Sequence, residues 1–170
     1  MNYKLFGSFL VIAGCGGTGF TIAAAYRLEQ KRLSELLGIF QYMYWELQYH
    51  LTPLPQLCRQ AGMDASGPLK AVFLSLAREL QWHSSPDVYS CMRTSIRSCH
   101  ELTPRLRKML LNLGKNLGRF DLAGQLQGLK ELQMVCRSEL RDLGKNQEQR
   151  MRSYRTLGLC AGTALSILLF

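Results

Sequence analysis

Both ends of this 170-residue chain lack charged residues. No Asp, Glu, Lys or Arg lies between Lys4 and Arg27 or after Arg155. As a helix rising ~1.5 Å per residue, the first uncharged stretch would reach about 33 Å, enough for a hydrocarbon core of ~30 Å, whereas the second would reach only about 22 Å. We therefore predict a transmembrane anchor in residues 1–26 and a shorter membrane segment in residues 156–170. The alternative for each is a helix buried in a soluble core.

A cleaved signal peptide is a second alternative for the N-terminus. A basic start, an apolar centre and the small residues 23–25 occur in the order that such peptides require. Against it, basic residues flank the middle of the chain on both sides: Arg27, Lys31, Arg32, Arg150, Arg152 and Arg155. Positive charge beside a membrane segment favours the cytoplasmic side. We therefore expect residues 27–155 to form a cytoplasmic domain, with Met1 and Phe170 on the opposite side.

Acidic residues are scarce relative to basic ones, with 12 Asp and Glu against 21 Lys and Arg and a net charge of +9. Such a balance favours membrane lipid with anionic headgroups or an acidic protein partner. The basic residues are spread along the chain without a recognition motif, so we expect no nucleic-acid partner. About 130 residues outside the uncharged ends leave room for one domain with a modest core.

Paired cysteine spacing and catalytic motifs are absent from the sequence. Of six cysteines, Cys15 and Cys160 lie in the uncharged ends and the others occur in helical patterns, which favours reduced, buried thiols over a disulfide framework. The three histidines lack a metal-binding spacing, and no G-x-S-x-G motif or carboxylate pair is present. The sequence therefore predicts a protein that is not an enzyme and has no cofactor, metal or small-molecule substrate.

Residues 14–19 match the G-x-G-x-x-G pattern of dinucleotide-binding turns. Such a site needs a second strand that ends in an acidic residue ~20 positions further on. Here Glu35 lies among apolar residues that recur every three to four positions, which is a helix period. We therefore interpret the glycines as a small face that lets membrane helices approach closely. The two membrane segments are predicted to pack together through Ala13, Gly17, Gly158 and Gly162.

Prolines are few, and four of the five mark predicted helix starts. Proline suits the first helical position because its missing N–H would have no partner there. The starts are Thr52-Pro53, Gly67-Pro68, Ser85-Pro86 and Thr103-Pro104. The predicted helices cover residues 28–50, 53–61, 68–83, 86–102 and 104–117. Because no proline follows Pro104, a sixth helix is expected to begin after Asp121 and to run continuously into the C-terminal membrane segment.

The expected fold class is therefore all-α: a six-helix antiparallel bundle flanked by an N-terminal and a C-terminal transmembrane helix. Apolar stripes at helical spacing support it. The stripe of the first bundle helix comprises Leu33, Leu36, Phe40, Tyr44, Leu47 and Leu51, and that of the fifth comprises Leu106, Met109, Leu110, Leu113 and Leu117. Gly144 is a predicted weak point of the last helix, because glycine inside a helix costs ~1 kcal/mol relative to alanine.

The most specific pattern of the chain runs from residue 113 to residue 125. Gly114 and Gly118 lie one turn apart and permit a close helix crossing, Gly118 suits the left-handed end of a helix, and Asp121 suits the cap of the next. We predict that a structural corner is formed here, with Arg119 and Phe120 as exposed partner contacts. Its other members are Gly114, Leu117, Gly118, Asp121 and Gln125.

This corner, read as Leu113-Gly114-x-x-Leu117-Gly118-x-x-Asp121-x-x-x-Gln125, resembles the signature of the stage III sporulation protein AB family. The tail Y-R-T-L-G at residues 154–158, followed by an apolar end, and the turn T-P-L-P at residues 52–55 are also similar to that family. Phe120 departs from the pattern, which commonly has serine at this position.

The resemblance implies a six-helix domain like the cytoplasmic domains of inner-membrane platform proteins of type II secretion and type IV pilus machines. It also implies a non-enzymatic platform subunit of a channel complex between mother cell and forespore, beside a secretion-type ATPase and other membrane channel subunits. The implied location is the outer forespore membrane, on the mother-cell side. The residues alone leave an alternative, a two-pass or peripheral adaptor that binds anionic lipid and has no secretion role.

Overall fold

The computed structural model describes the backbone of residues 2–82, 87–118 and 121–169, and the side chains of residues 24–82, 87–118 and 121–145. Within these residues the chain is all-α, with six helices and no strand, as the sequence predicts. The helices are α1 (Asn2–Tyr49), α2 (Leu54–Asp64), α3 (Gly67–Gln81), α4 (Val88–Arg97), α5 (Pro104–Asn116) and α6 (Leu122–Leu169).

The two long helices compare differently with the predictions. The predicted continuity of the last helix is confirmed, since α6 runs unbroken from Leu122 to Leu169. A separate first bundle helix at residues 28–50 is a wrong prediction, because α1 runs unbroken from Asn2 to Tyr49. The reason is local: no proline interrupts the sequence around residue 28, so nothing breaks the helical hydrogen bonds there.

The chain divides into two compact units. One comprises Lys31–Leu140, and the other comprises Met1–Gln30 together with Arg141–Phe170. Among the residues whose side chains the structure describes, no helix is both long and apolar enough to cross a membrane. Most of the predicted membrane segments lies outside those residues, including the side chains of Ala13, Gly17, Gly158 and Gly162. The division into residues 1–26, 27–155 and 156–170 stays a prediction.

The unit Lys31–Leu140 is built around apolar helix faces. In α1 the buried face comprises Leu33, Leu36, Ile39, Phe40, Met43 and Leu47. In α5 and its C-cap, all five residues of the predicted stripe, from Leu106 to Leu117, are buried. Burying each of these side chains contributes roughly 1.5–3 kcal/mol. The predicted core position of Leu51 is wrong, because Leu51 follows the end of α1 with φ +51° and is 65 % exposed.

Proline marks the start of α5 as predicted, but α2 begins one residue later than expected. The hydroxyl of Thr103 accepts the N–H of Leu106 at 3.4 Å, so Thr103-Pro104 is a true helix start. At Thr52-Pro53 the proline takes the N-cap position and α2 begins at Leu54. The reason is a competing contact, since the hydroxyl of Thr52 donates to Glu46 Oε2 at 2.7 Å and does not cap α2.

The other two helix predictions differ from the structure at their ends. The helix expected at residues 68–83 is α3, which begins at Gly67 and ends at Gln81. The helix expected at residues 86–102 is α4, whose cap is Asp87: its carboxylate accepts the N–H of Ser90 at 3.1 Å. Ser85 and Pro86 lie outside the described residues.

The C-terminus of α4 is shortened by a side-chain contact. The hydroxyl of Ser98 donates to the carbonyl of Ser95 at 2.8 Å, and the N–H of Cys99 donates to Ile96 O, a spacing of three residues. Serine hydroxyls that bond nearby carbonyls compete with the helical pattern, and three-residue spacing tightens a last turn. The helix therefore ends at Arg97, five residues before the predicted end.

Candidate functional site

The predicted corner begins where α5 crosses α4. A Cβ atom added at Gly114 would lie 2.8 Å from Met92 Cβ and 3.3 Å from the Cα of Tyr89. Real Cβ atoms essentially never approach another heavy atom to less than 3.0 Å. Only glycine therefore permits this separation of the two helices, and the predicted close crossing is confirmed at Gly114.

The end of α5 is set by Leu117 and Gly118. The N–H of Leu117 donates to Leu113 O at 3.0 Å, and the Leu117 side chain is fully buried. Gly118 has φ +78°, which lies in the left-handed region that side chains disfavour. A Cβ at Gly118 would also lie 2.6 Å from Val88 Cγ2. Glycine is therefore needed at position 118 both for its backbone conformation and for the space beside Val88.

Asp121 caps α6, as the sequence predicts. Its carboxylate accepts the N–H of Gly124 at 3.0 Å, and its carbonyl accepts the N–H of Gln125 at 3.0 Å. Asp121 is exposed and Gln125 is half-buried. Arg119 and Phe120 lie outside the described residues, so their role as partner contacts stays a prediction.

A further glycine extends the corner beyond the predicted residues. A Cβ at Gly128 would lie 2.8 Å from Asn116 Cγ, so α6 approaches the end of α5 closely at this position. The spacing of Gly124 and Gly128, one helical turn apart, is the sequence signal that could have revealed it. The corner therefore depends on small residues in both α5 and α6.

Basic side chains lie beside aromatic rings and a carboxylate in this unit. Lys115 Nζ lies 5.7 Å from the centre of the Tyr89 ring, which adds a cation–π contact between α5 and α4. Arg105 Nε lies 2.9 Å from Glu139 Oε2, with both side chains about one-third exposed. These contacts connect α5 to its neighbours α4 and α6.

An exposed aromatic cluster at the end of α1 was not identified from the sequence. The rings of Trp45 and Tyr49 are stacked with centres 5.3 Å apart, and Tyr44 meets Trp45 edge to face at 5.9 Å. Trp45 and Tyr49 are 55 % and 63 % exposed. The signal available was the four-residue spacing of Trp45 and Tyr49, which places both on one helix face. We call the stacked pair Trp45 and Tyr49 the aromatic patch.

Comparison with known proteins identifies the family. The model of the family described as stage III sporulation protein AB (spore_III_AB) matches residues 4–170. The chain belongs to the stage III sporulation protein AB family. The resemblance noted in the residues of the corner is thereby confirmed.

Two relatives in this family show the extent of the similarity. Stage III sporulation protein AB of Bacillus subtilis (strain 168) is 24 % identical over 170 residues, covering 98 % of each chain. A solved structure of stage III sporulation protein AB (SpoIIIAB) superposes with a TM-score of 0.61 and 19 % identity, covering 69 % of this chain and 94 % of that one. The second comparison supports the fold alone.

Two thiols of this family member, Cys58 and Cys136, are poorly suited to nucleophilic chemistry. Burial raises the pKa of the Cys58 thiol to about 12. Burial and the nearby Glu139 carboxylate raise the pKa of Cys136 to about 11. Thiolate is the nucleophilic form, so both side chains are inert near neutral pH. The prediction of buried thiols without disulfides is confirmed at Cys58, Cys91 and Cys136, whereas it is wrong in burial at Cys99, which is only half-buried.

No group of three or more His, Cys, Asp and Glu side chains able to hold a metal ion occurs in residues 24–82, 87–118 and 121–145. What the described unit offers instead is surface: the corner with its exposed cap Asp121, and the aromatic patch at the end of α1. Large exposed aromatic side chains are enriched where proteins contact one another. The geometry of this family member can therefore support binding of a protein partner.

Proposed function

We propose that this chain is a non-enzymatic membrane platform subunit of a sporulation secretion or channel complex that connects mother cell and forespore. The uncharged ends anchor it in the outer forespore membrane, and residues 27–155 lie in the cytoplasm of the mother cell. There they bind a secretion-type ATPase and other membrane channel subunits. The observation that carries the proposal is the family match over residues 4–170, which includes both uncharged ends.

The distribution of charge supports anchoring at both ends. Basic residues stand on the inner side of each uncharged stretch, beginning at Arg27 and ending at Arg155. Each basic residue near an anionic membrane surface contributes about 1 kcal/mol of attraction. Basic flanks also hold the connecting segment on the cytoplasmic side. This pattern supports a cytoplasmic unit between two membrane segments.

The exposed surface of the unit Lys31–Leu140 supports a role in binding proteins. The aromatic patch presents the stacked rings of Trp45 and Tyr49, each more than half exposed. Contiguous exposed apolar side chains mark interaction sites more often than isolated ones do. The corner at residues 114–125 supplies a second surface, whose shape is fixed by glycines and by the cap Asp121.

Thiol accessibility in intact vegetative cells tests the topology. Cys15, Cys99 and Cys160 are replaced by serine, and single cysteines are introduced beside Met1, at Ser90 and beside Phe170. When the chain inserts in the cell membrane, a membrane-impermeant maleimide should label the two terminal thiols in intact cells. It should label the thiol at position 90 only after permeabilisation. Recovery of the chain in the soluble fraction would refute the anchoring.

Capture of a purified partner tests the role in assembly. The full-length chain in detergent is immobilised and the secretion-type ATPase of the same organism is passed over it. We expect stable capture, weakened by Arg119→Glu and unchanged by Arg107→Glu, a matched charge reversal at an exposed position of α5. Equal capture by the wild-type chain and both variants would show that Arg119 is not part of the contact. No capture at all would show that the ATPase is not a partner of this chain.

The lipid-binding adaptor gives a different outcome in a parallel measurement. If the chain binds vesicles with anionic headgroups in a salt-sensitive manner and captures no channel subunit, the adaptor function replaces the platform. If the chain captures the ATPase to the same extent at every vesicle composition and salt concentration, the platform function is supported.

A further inference from the structure

The helical hairpin of α2 and α3 contains an open groove. The two helices are joined by only Ala65 and Ser66, and they pack closely because a Cβ at Gly62 would lie 3.0 Å from Leu74. The groove has a volume of about 820 Å³. Its lining extends from Pro53 to Met63 on one wall and from Leu74 to Gln81 on the other. At ~1.5 Å per residue these walls are about 15 Å and 10 Å long.

Two basic residues are the charged members of the described groove lining. Arg59 stands on the α2 wall and Arg78 on the α3 wall, and both side chains are exposed. None of the described residues that line the groove is Asp or Glu. Among the described residues, neither guanidinium forms an ion pair. Two cations on opposite walls, with no carboxylate between them, complement an occupant that carries carboxylates along its length.

Amide side chains supply the remaining polar contacts of the groove. Gln56, Gln60 and Gln81 line it together with the two arginines. An amide both donates and accepts hydrogen bonds, so it can pair with the N–H and C=O groups of a polypeptide backbone. A lipid headgroup or a phosphate offers oxygen acceptors but no backbone N–H donor. The glutamines therefore favour a protein segment as the occupant.

One of these amides is held in a defined orientation. The hydroxyl of Tyr42 donates to Gln60 Oε1 at 2.7 Å. Burial and the nearby carboxylates of Glu46 and Asp64 raise the pKa of Tyr42, which keeps the phenol protonated as a donor. Since Tyr42 occupies the oxygen of Gln60, the amide nitrogen remains as the group that can donate to an occupant.

Apolar side chains complete the lining. Met63 is 62 % exposed at one end of the groove, and Leu74 and Ala77 lie along the α3 wall. An amphipathic segment lying in such a groove buries its apolar face against the floor and keeps its charged residues at the rims. Small-molecule sites differ in that they enclose most of their ligand. The open, elongated form of this groove therefore suits a polypeptide segment.

We propose that the α2–α3 groove binds an acidic amphipathic segment of a partner protein. Its carboxylates pair with Arg59 and Arg78, and its apolar side chains contact Met63 and Leu74. The residues that line the groove are different from those of the corner at residues 114–125. The proposal stands whether the partner is an ATPase or another subunit, so it can fail without affecting the platform function.

Fluorescence anisotropy with a designed peptide tests the proposal. The probe is a fluorescein-labelled peptide of about 12 residues, ~18 Å long as a helix, with leucines on one face and glutamates beside them. It is titrated with the full-length chain in detergent. We expect saturable binding that Arg59→Glu together with Arg78→Glu weakens by about tenfold or more, since two charge-assisted contacts are reversed. A peptide with lysines in place of the glutamates should not bind.

A matched control tests whether peptide binding depends on the groove or on the general positive charge of the chain. Arg93→Glu together with Arg97→Glu makes the same change of charge at two exposed positions of α4. We expect this variant to bind the peptide as the wild-type chain does. If both double variants weaken binding equally, the attraction is diffuse and the proposal is wrong. Circular dichroism and thermal unfolding establish that each variant retains its helices.

Two further measurements distinguish other occupants. Met63→Ala keeps the charge of the groove. It should weaken binding of the peptide severalfold if the apolar face of the peptide contacts the groove. No effect of this variant would overturn the amphipathic contact. Vesicles containing phosphatidylglycerol are added as competitor to the wild-type chain and to the groove variant. If the groove variant loses vesicle binding while retaining the peptide, the groove binds lipid and the proposal is overturned.

Discussion

The carboxylate of Glu35 in α1 accepts two hydrogen bonds from Ser66 at the start of α3. The backbone N–H of Ser66 donates to Glu35 Oε1, and its hydroxyl donates to Oε2 at 3.0 Å. The side chain of Ser66 makes no capping contact within its own helix. A carboxylate near the positive end of a helix dipole is stabilising. Glu35 therefore supplies from α1, 31 residues away in the sequence, a contact that helices often obtain from their own N-cap side chain.

Removal of this contact is expected to destabilise the unit Lys31–Leu140. Glu35→Ala loses both hydrogen bonds to Ser66 and the favourable interaction with the α3 dipole, and we expect a loss of about 1–2 kcal/mol in the free energy of unfolding. Chemical denaturation of the purified chain measures it. Glu79→Ala is the control, because Glu79 is also half-buried and forms no hydrogen bond or ion pair with another described residue. Equal losses for the two variants would contradict the assignment.

A methyl group at Gly114 should separate α4 from α5. Gly114→Ala places a carbon 2.8 Å from Met92 Cβ, and such overpacking costs about 1–3 kcal/mol. Gly38→Ala is the matched control, because a Cβ there meets nothing within 4 Å in the interior of α1. We expect that control to gain roughly 0.5–1 kcal/mol from helix propensity. Thermal unfolding of both variants measures the difference, and a stabilised Gly114→Ala variant would show that the crossing has room.

Replacing the α6 cap residue Asp121 by alanine or by asparagine should have different effects on stability. Asp121→Ala removes the acceptor for the N–H of Gly124 and is expected to cost about 1 kcal/mol. Asp121→Asn keeps a side-chain oxygen at the same position and should cost much less, since asparagine is an equally good N-cap. Hydrogen exchange at the amides of residues 122–125 locates the effect. Equal exchange in the two variants would indicate that the cap contributes little.

The Cys58 thiol should make stability fall at alkaline pH. Its pKa is raised from 9.0 to about 12 by burial, so the folded chain holds the proton more tightly than the unfolded chain does. The stabilisation is complete below pH 9 and is lost as the pH rises towards the folded pKa, because only the unfolded chain ionises in that window. The slope is up to about 1.4 kcal/mol per pH unit.

Denaturation of the wild-type chain and of Cys58→Ala between pH 7 and pH 11 isolates this contribution. Below pH 9 the two chains should differ by a constant amount, which is the cost of removing the buried sulfur. Above pH 9 the stability of the wild-type chain should fall more steeply than that of the variant. Parallel curves over the whole range would show that Cys58 ionises as readily in the folded chain as in the unfolded one.

The helix starts show how far the sequence reaches. Thr103-Pro104 and Asp121 begin helices as predicted. An N-cap contact spans only three residues, so its donor and acceptor can both be read from a short stretch of sequence. Thr52 carries the same signal, yet its hydroxyl bonds Glu46 and α2 begins one residue later. A local signal fails where a second partner competes for the same hydroxyl.

The corner at residues 114–125 could be predicted from the sequence because the glycines at positions 114 and 118 each indicate a local structural requirement. Gly118 indicates a left-handed backbone and Gly114 indicates a close helix crossing, but neither glycine indicates which residue it packs against. That the neighbours are Val88 and Met92 of α4 is decided by packing. The exposed position of Leu51 was missed because periodicity assigned it to the core, whereas α1 ends at Tyr49 and leaves Leu51 exposed.

The sequence by itself determined the all-α fold, the family and the uncharged ends. Helical periodicity and caps depend on residues at most a few positions apart, and the family is recorded in the spacing of the glycines and Asp121. Tertiary structure alone decided that Glu35 binds Ser66 and that Arg59 and Arg78 line one groove. These pairs lie 31 and 19 positions apart, and they meet only because burial of the apolar helix faces brings separate helices together.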